Sequence, residues 1–242
     1  MFTKKLIVNA DDLGQSVAIN KGIIMAHENG IVTSASLMVR YDAAKDAAEY
    51  ASKNPALGVG LHVDLGEWIY SNGEWSALYE VVSLEDINAV KDEISRQLEM
   101  FIKVMNRDPT HIDSHQHVHQ RDGLRSLFLS QAESLNVTLR GCSDLVNYCG
   151  DFYGQSADGI PFHEAISVEG LKKTIEKIPM GITELACHPG LNSDIRTMYG
   201  IERQMEVATL CDKKVRQSII DSGIELCSFE GIPFGADKEI KT

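Results

Sequence analysis

Three observations predict an α/β fold with a mainly parallel sheet, barrel-like in form. Short apolar runs alternate with amphipathic stretches along the chain, as strand–helix units do. Polar, chemistry-bearing residues recur just past the apolar runs, in five separate segments, where parallel α/β folds collect their functional groups. The length, 242 residues, suits one barrel of this class.

Leu6-Ile7-Val8 reads as the first strand. A helix over Ser16–Glu28 follows and stops at Asn29-Gly30. Ser34–Val39 reads as strand two, Ala43–Ser52 as a helix ahead of Pro55, and Val59–Leu65 as strand three. Ser83–Met105 is the clearest helix, with apolar residues at helical spacing and a Ser83/Asp86 pair resembling a capping box. His111–Ser114 is strand four, Leu124–Ser134 a helix and Val137–Arg140 strand five. Val168–Ile178 is a helix and Thr183–Cys187 strand six. Glu202–Ser222 reads as one long helix with Met205, Ala208, Val215 and Ile219 on one face, and Ile224–Phe229 as strand seven. Gly66–Val82 and Ser143–Glu164 break the pattern and read as long loops on the functional rim. Residues 1–242 are expected to form one domain.

Composition is that of an ordinary globular protein, 43% hydrophobic and 24% charged. A net charge of −12 argues against nucleic acid and against anionic membrane surfaces as partners. No apolar stretch approaches the ~20 residues that span a bilayer, and the N-terminus has no secretory leader pattern. The five cysteines are odd in number and scattered without a Cys-x-x-Cys, which suggests buried apolar residues in a reducing cytoplasm.

The chemistry concentrates in Thr110-His111-Ile112-Asp113-Ser114-His115-Gln116-His117-Val118-His119, with four of the eight histidines in ten residues. Imidazoles and carboxylates bind divalent metals and move protons near neutral pH. Read as an extended segment, this run puts His115, His117 and His119 on one face. Asp11 and Asp12 lie just past strand one, His62 near the end of strand three, Arg140 at the end of strand five and His188 after strand six. A catalytic metal site takes three such ligands from separate strands and leaves room for water. Asp12, His62 and His115 are candidate ligands, Asp11 a candidate base, His188 a candidate acid and Asp113 a candidate hydrogen-bond partner for a ligand. Each also has a structural reading: a helix cap for Asp11-Asp12, a buried hydrogen-bonded ring for His62, a strand-end turn for His188. Cys187 beside His188 is a poor nucleophile, because strand neighbours face opposite ways. Trp68, Tyr70 and Trp75 read equally as a sugar-stacking platform or a loop mini-core.

Asn9-Ala10-Asp11-Asp12-Leu13-Gly14, Gly30-Ile31-Val32-Thr33-Ser34, Gly60-Leu61-His62, the histidine run and Cys187-His188-Pro189 together resemble the YdjC-like carbohydrate deacetylases, which include the chitooligosaccharide deacetylases. The likeness extends from Lys5 to about Phe229. It implies a deformed (β/α) TIM-like barrel of about seven parallel strands, related to the NodB-type polysaccharide deacetylases. It implies one divalent metal on Asp12, His62 and His115, with Asp11 as base and His188 as acid. It implies a small N-acetylated sugar as substrate, possible phosphorylation of that sugar being left open, and a homodimer. Asp113, His117, His119, Arg140 and Trp68 are candidates for contacting substrate or supporting the ligands. The family's run often reads His-His-His-Val-His; here Gln116 interrupts it, while His115, His117 and His119 are kept. Mg²⁺, Zn²⁺, Mn²⁺ and Co²⁺ all accept this donor set, and two imidazoles lean toward zinc or another transition metal. Two other readings stay open. One is a sugar-phosphate hydrolase, clamping phosphate with Arg140 or Arg121. The other is a non-catalytic metal- or sugar-binding protein, which has no need of a spare base.

Overall fold

The computed structural model describes residues 3–71, 73–191 and 197–235. The chain alternates strands and helices. It begins β1 (Lys4–Leu13), α1 (Val17–Glu28), β2 (Ser34–Leu37), α2 (Ala44–Lys53), β3 (Gly58–Val63), and continues with a hairpin of β4 (Gly66–Ser71) and β5 (Glu74–Glu80). Then come α3 (Ile87–Met105), β6 (His111–Ser114), a 3₁₀ turn (His115–Gln120), α4 (Arg125–Leu135), β7 (Thr138–Leu139) and β8 (Val146–Cys149). The last elements are α5 (Val168–Glu176), β9 (Gly181–Cys187), α6 (Ile201–Leu210), α7 (Lys213–Asp221) and β10 (Ile224–Cys227).

Seven parallel strands run in the order β7-β6-β3-β2-β1-β9-β8 and nearly close into a barrel. β10 pairs with the first half of β1, from Lys4 to Ile7, on the edge that β2 takes over from Asn9 onward. The expected class is therefore the observed one. The membership of the sheet differs in one respect, since β8 lies inside a segment that reads as loop. Its Val146-Asn147-Tyr148-Cys149 is too short and too polar to show a strand pattern, yet it pairs in register with Ile182–Leu185 of β9. The other expected loop, Gly66–Val82, is mostly the antiparallel β4–β5 hairpin.

β1 shows how the layers form. Leu6, Val8 and Ala10 join the large cluster that packs the sheet against helices through Ile19 and Ile23. Ile7 points the other way, into the barrel, with Val146 and Phe229. Above that small apolar floor the interior turns polar: Asn9, Ser36, His111, Asp113, Arg140 and Glu184 are all buried. Glycine makes room at two places. At Gly60 a Cβ would come within 2.4 Å of the His111 ring, which lies stacked on Phe229 at 4.0 Å. At Gly22 a Cβ would meet the Gly190 backbone at 2.4 Å, so α1 packs directly on the loop that carries His188.

Four local expectations are corrected. The long helix over Glu202–Ser222 is two helices, because Asp212 caps α7 by accepting from the Lys214 N–H. Its inward face is also different: Glu202, Arg203 and Glu206 are buried while Ala208 is exposed. The third concerns the histidine run. Past His115 it is a kinked 3₁₀ turn with φ of +50° at Gln116 and +54° at His117, so the three histidines do not share a face. The capping role in α3 falls to Asp86, which accepts from the Ala89 N–H, and the helix starts at Ile87. No helix among the described residues is long and apolar enough to cross a membrane.

Gly60→Ala is expected to destabilise the fold by about 1–3 kcal/mol, since neither the His111 ring nor Phe229 behind it can yield. Thermal unfolding would show a fall in Tm of several degrees. An unchanged Tm would mean the imidazole is free to move.

Candidate active site

The site begins with the end of β1. On a regular strand Asp11 and Asp12 would face opposite ways. Asp12 instead takes a left-handed backbone, φ +67°, and the register with β2 shifts between Ala10 and Leu13. Both carboxylates thereby reach one cleft of about 640 Å³ at the carboxyl ends of the strands.

Asp12 is fully buried and divides its two oxygens. Oδ2 accepts from Arg203 Nη2 at 2.6 Å. Oδ1 faces the imidazoles, with His115 Nδ1 at 3.1 Å and His62 Nε2 at 3.4 Å. Burial raises the Asp12 carboxyl's proton affinity, but Arg203 and His115 outweigh it and hold the pKa well below the usual range. His62 donates Nδ1–H to Asp113 Oδ1 at 2.7 Å. Its Nε2, and Nε2 of His115, are buried with no hydrogen-bond partner.

Donor atoms of Asp12, His62 and His115 lie within 4.8 Å of one another. This trio fits a divalent cation. One carboxylate and two imidazoles are a usual donor set, and two buried ring nitrogens lack any other partner. The electrostatics agree. Burial opposes charge on His62, yet Asp113, Asp12 and Asp11 outweigh it and lift the ring to about 10. His115 is likewise raised against its burial, chiefly by Asp12. The cluster is a pit of negative potential that draws positive charge onto its imidazoles.

Asp11 sits beside this trio. Arg140 grips it with both guanidinium arms, Nη1 to Oδ2 at 2.6 Å and Nη2 to Oδ1 at 2.7 Å. Burial pushes the Asp11 carboxyl up, but Arg140 prevails and keeps it ionised. The Nε2 atom of His188 lies 3.7 Å from Asp11 Oδ2, and the ring is edge-on to Tyr153 and Tyr199. Burial lowers the His188 pKa to about 4 despite the pull of Asp11 and Asp12.

Arg140 is wholly buried and joins four strands. It emerges from the end of β7 and reaches Asp11 on β1, Asp113 on β6 at 2.8 Å and Glu184 on β9 at 2.7 Å. A phosphate clamp is therefore not its role in this arrangement. Ser36 donates to Asp113 Oδ2 at 2.7 Å and fixes the carboxylate that orients His62.

The remaining histidines of the run do different things. His119 bridges Ser114 Oγ and the Arg140 carbonyl, and burial lowers its pKa to about 3. It braces the scaffold and does not line the cleft. His117 lines the cleft and lies 3.2 Å from the Tyr148 hydroxyl, with its pKa lowered to about 4 by burial. His111 is a buried structural ring, also lowered to about 4. Trp68 and Trp75 face the cleft from the hairpin, and Arg121 lies over the Trp68 ring at 5.2 Å.

The sequence reading missed Arg203, Glu206, Glu184, Tyr199 and Glu67. Glu206 receives the His188 N–H and the Tyr199 hydroxyl, and burial raises its pKa to about 8. Arg203 and Glu206 are three apart on α6, a charged i, i+3 pair whose inward direction no local pattern reveals.

A nearly closed parallel barrel with a carboxylate–imidazole trio, a flanking carboxylate and a flanking histidine at its carboxyl rim defines a hydrolytic enzyme. The family model for YdjC-like protein matches residues 5–221, and the chain belongs to the YdjC-like family. Among its relatives is a carbohydrate deacetylase of Geobacillus stearothermophilus, 32% identical, covering 92% of this chain and 96% of the relative. A chitooligosaccharide deacetylase of Serratia marcescens is 30% identical over 95% and 99% of the two chains. The crystal structure of an Enterococcus faecalis V583 protein named for cellobiose-phosphate cleavage superposes with a TM-score of 0.75 at 26% identity, covering 96% of this chain and all of that one. A family 4 carbohydrate esterase from Streptomyces lividans shares the fold, with a TM-score of 0.54, 13% identity and 98% coverage of both chains.

Arg140→Lys is expected to destabilise the protein by about 3 kcal/mol or more, because one ammonium cannot serve three buried carboxylates in a fork geometry. The readout is a Tm lower by about 6 °C or more. A Tm within a degree of wild type would show that the carboxylates find other partners.

Proposed function

We propose that the protein is a metal-dependent carbohydrate deacetylase that removes the acetyl group from an N-acetylated amino sugar, with short chitooligosaccharides as the first substrates to test. One observation carries the reading: the Asp12–His62–His115 trio lies beside a separate, arginine-held carboxylate and a separate histidine, all at one cleft. A purely structural or storage site for a cation has no use for Asp11 and His188. The names of the curated relatives point the same way.

Asp12, His62 and His115 would hold the cation. Bound there, it would supply Lewis-acid polarisation of the acetyl carbonyl and a more acidic water. The chain's own groups do the rest. Asp11 is kept ionised by Arg140 and takes one proton from the attacking water. His188, 3.7 Å from Asp11 and open to the cleft, is neutral at rest; it takes over the proton that Asp11 removed from the water and delivers it to the departing nitrogen as the C–N bond breaks. The products are acetate and an amine. Asp113 holds His62 at Nδ1, so the ring presents Nε2. Arg203 neutralises the outer oxygen of Asp12 and leaves Oδ1 for the trio.

Elemental analysis and acetate release from N,N′-diacetylchitobiose test this directly. Wild type should carry about one divalent metal per chain. Asp11→Asn should keep the metal and lose about 10²-fold or more in kcat. His115→Ala should lose metal and activity together. A fully active, metal-free His115→Ala enzyme would defeat the scheme, and loss of metal in Asp11→Asn would exchange the roles of the two aspartates.

A further inference from the structure

The geometry points to Glu67 as the carboxylate that grips the substrate's sugar ring by accepting its hydroxyls, with Gln116 as the residue that positions it. The inference rests on the carbohydrate reading above and names a contact within it.

Glu67 lies on β4, is only 6% exposed, and turns its carboxylate toward the cleft. Among the described residues no donor hydrogen-bonds that carboxylate. It lies outside the Asp12–His62–His115 trio, so it is not one of the ligands proposed above. Its oxygens open onto the cleft without a protein donor, so they are free to accept from a ligand bound there. Neighbouring ring hydroxyls of a pyranose supply two donors at once, and an ionised carboxylate accepts both. Trp68 and Trp75 in the same hairpin provide the aromatic surface beside it.

Gln116 explains how the hairpin is held. Its Oε1 accepts the Trp68 N–H at 2.9 Å, and its Nε2 donates to the Trp68 carbonyl at 2.8 Å. The side-chain amide thus acts as a one-residue neighbouring strand. At the root of the hairpin the Tyr79 hydroxyl donates to Asp64 at 3.0 Å. Glu67 sits between these two anchors. Gln116 directly follows His115, so the sugar contact is tied in register to the cation site.

The test is steady-state acetate release on N,N′-diacetylchitobiose with the metal-loaded enzyme, calorimetric binding of the same disaccharide, and metal analysis of each variant. Glu67→Gln should raise KM, and weaken binding, about tenfold or more, with kcat within about threefold and metal content unchanged. Glu67→Asp, which keeps the charge but withdraws it, should fall between; it also serves if Glu67→Gln folds poorly. Gln116→Ala should raise KM by a smaller factor at constant kcat and metal. Unchanged KM and binding in Glu67→Gln, or loss of metal with it, would overturn the assignment, and an unchanged KM in Gln116→Ala would overturn the positioning role. Wild type that binds the disaccharide without releasing acetate, with binding weakened in Glu67→Gln, would sink the deacetylase reading and support the sugar contact. Wild type that neither binds nor turns over the disaccharide would overturn both.

Discussion

Arg140 is the constraint on which the rest of the site depends. A wholly buried guanidinium is tolerable only if its donors are met, and here they meet Asp11, Asp113 and Glu184. These three come from β1, β6 and β9, and Arg140 itself follows β7. β7 lies at one end of the strand order and β8 at the other, so the arginine spans the gap where the barrel fails to close. The same interaction ionises the proposed base, and it fixes Asp113, which in turn orients His62. Three carboxylates around one cation leave an excess of negative charge. Burial raises the proton affinity of Glu184 to about 7 against the pull of Arg140, with Asp113 and Asp11 adding to the rise.

That polar interior has a structural consequence. A barrel filled with branched apolar layers is stable without help. Here, among the described residues, the apolar floor is a small cluster of Ile7, Val146 and Phe229 with Ile182, Cys227 and Ile232 against it, and the layers above are hydrogen-bonded polar groups. Ser36 meets Asn9, His111 and Asp113 at once. Most of the hydrophobic stabilisation is therefore outside the barrel, between sheet and helices. Such a network holds one geometry, because moving any member leaves a buried partner unpaired.

Much of this was legible in the sequence. The rule that functional groups follow parallel strands located Asp11, Asp12, His62, Arg140 and His188, and the structure brings all five to one cleft or its immediate support. What was hidden had physical reasons. β8 is short and half-exposed, and gains its strand character only from pairing with β9. The alternation His115, His117, His119 imitates an extended face, but positive φ at Gln116 and His117 sends the rings to three different partners. That backbone choice is not written in periodicity. On α6 the buried residues mix Val207 and Leu210 with Glu202, Arg203 and Glu206, so a search for apolar residues at helical spacing passed over the charged ones and wrongly included the exposed Ala208. Arg203 is held there by the Tyr199 and His188 carbonyls and by Asp12, whose charge meets it across 191 residues of sequence, a partner no local reading can supply.

The elements outside the barrel complete the active cleft, and they do so from both sides. From one side α6 reaches in: Arg203 neutralises one oxygen of Asp12, and Glu206 holds the backbone of His188. From the other the β4–β5 hairpin is tied to the turn that bears His115 through Gln116. Strand ends alone would place donors within reach of a cation but would not decide which oxygen of Asp12 faces inward, nor hold His188 within 3.7 Å of Asp11. Preorganisation of that kind requires supporting groups whose own positions are fixed by packing. Gly22 shows the cost accepted for it: a helix glycine sacrifices stability so that α1 can seat the His188-Pro189-Gly190 loop. The chemistry is carried by the barrel rim, and its precision is supplied by what the barrel rim is fastened to.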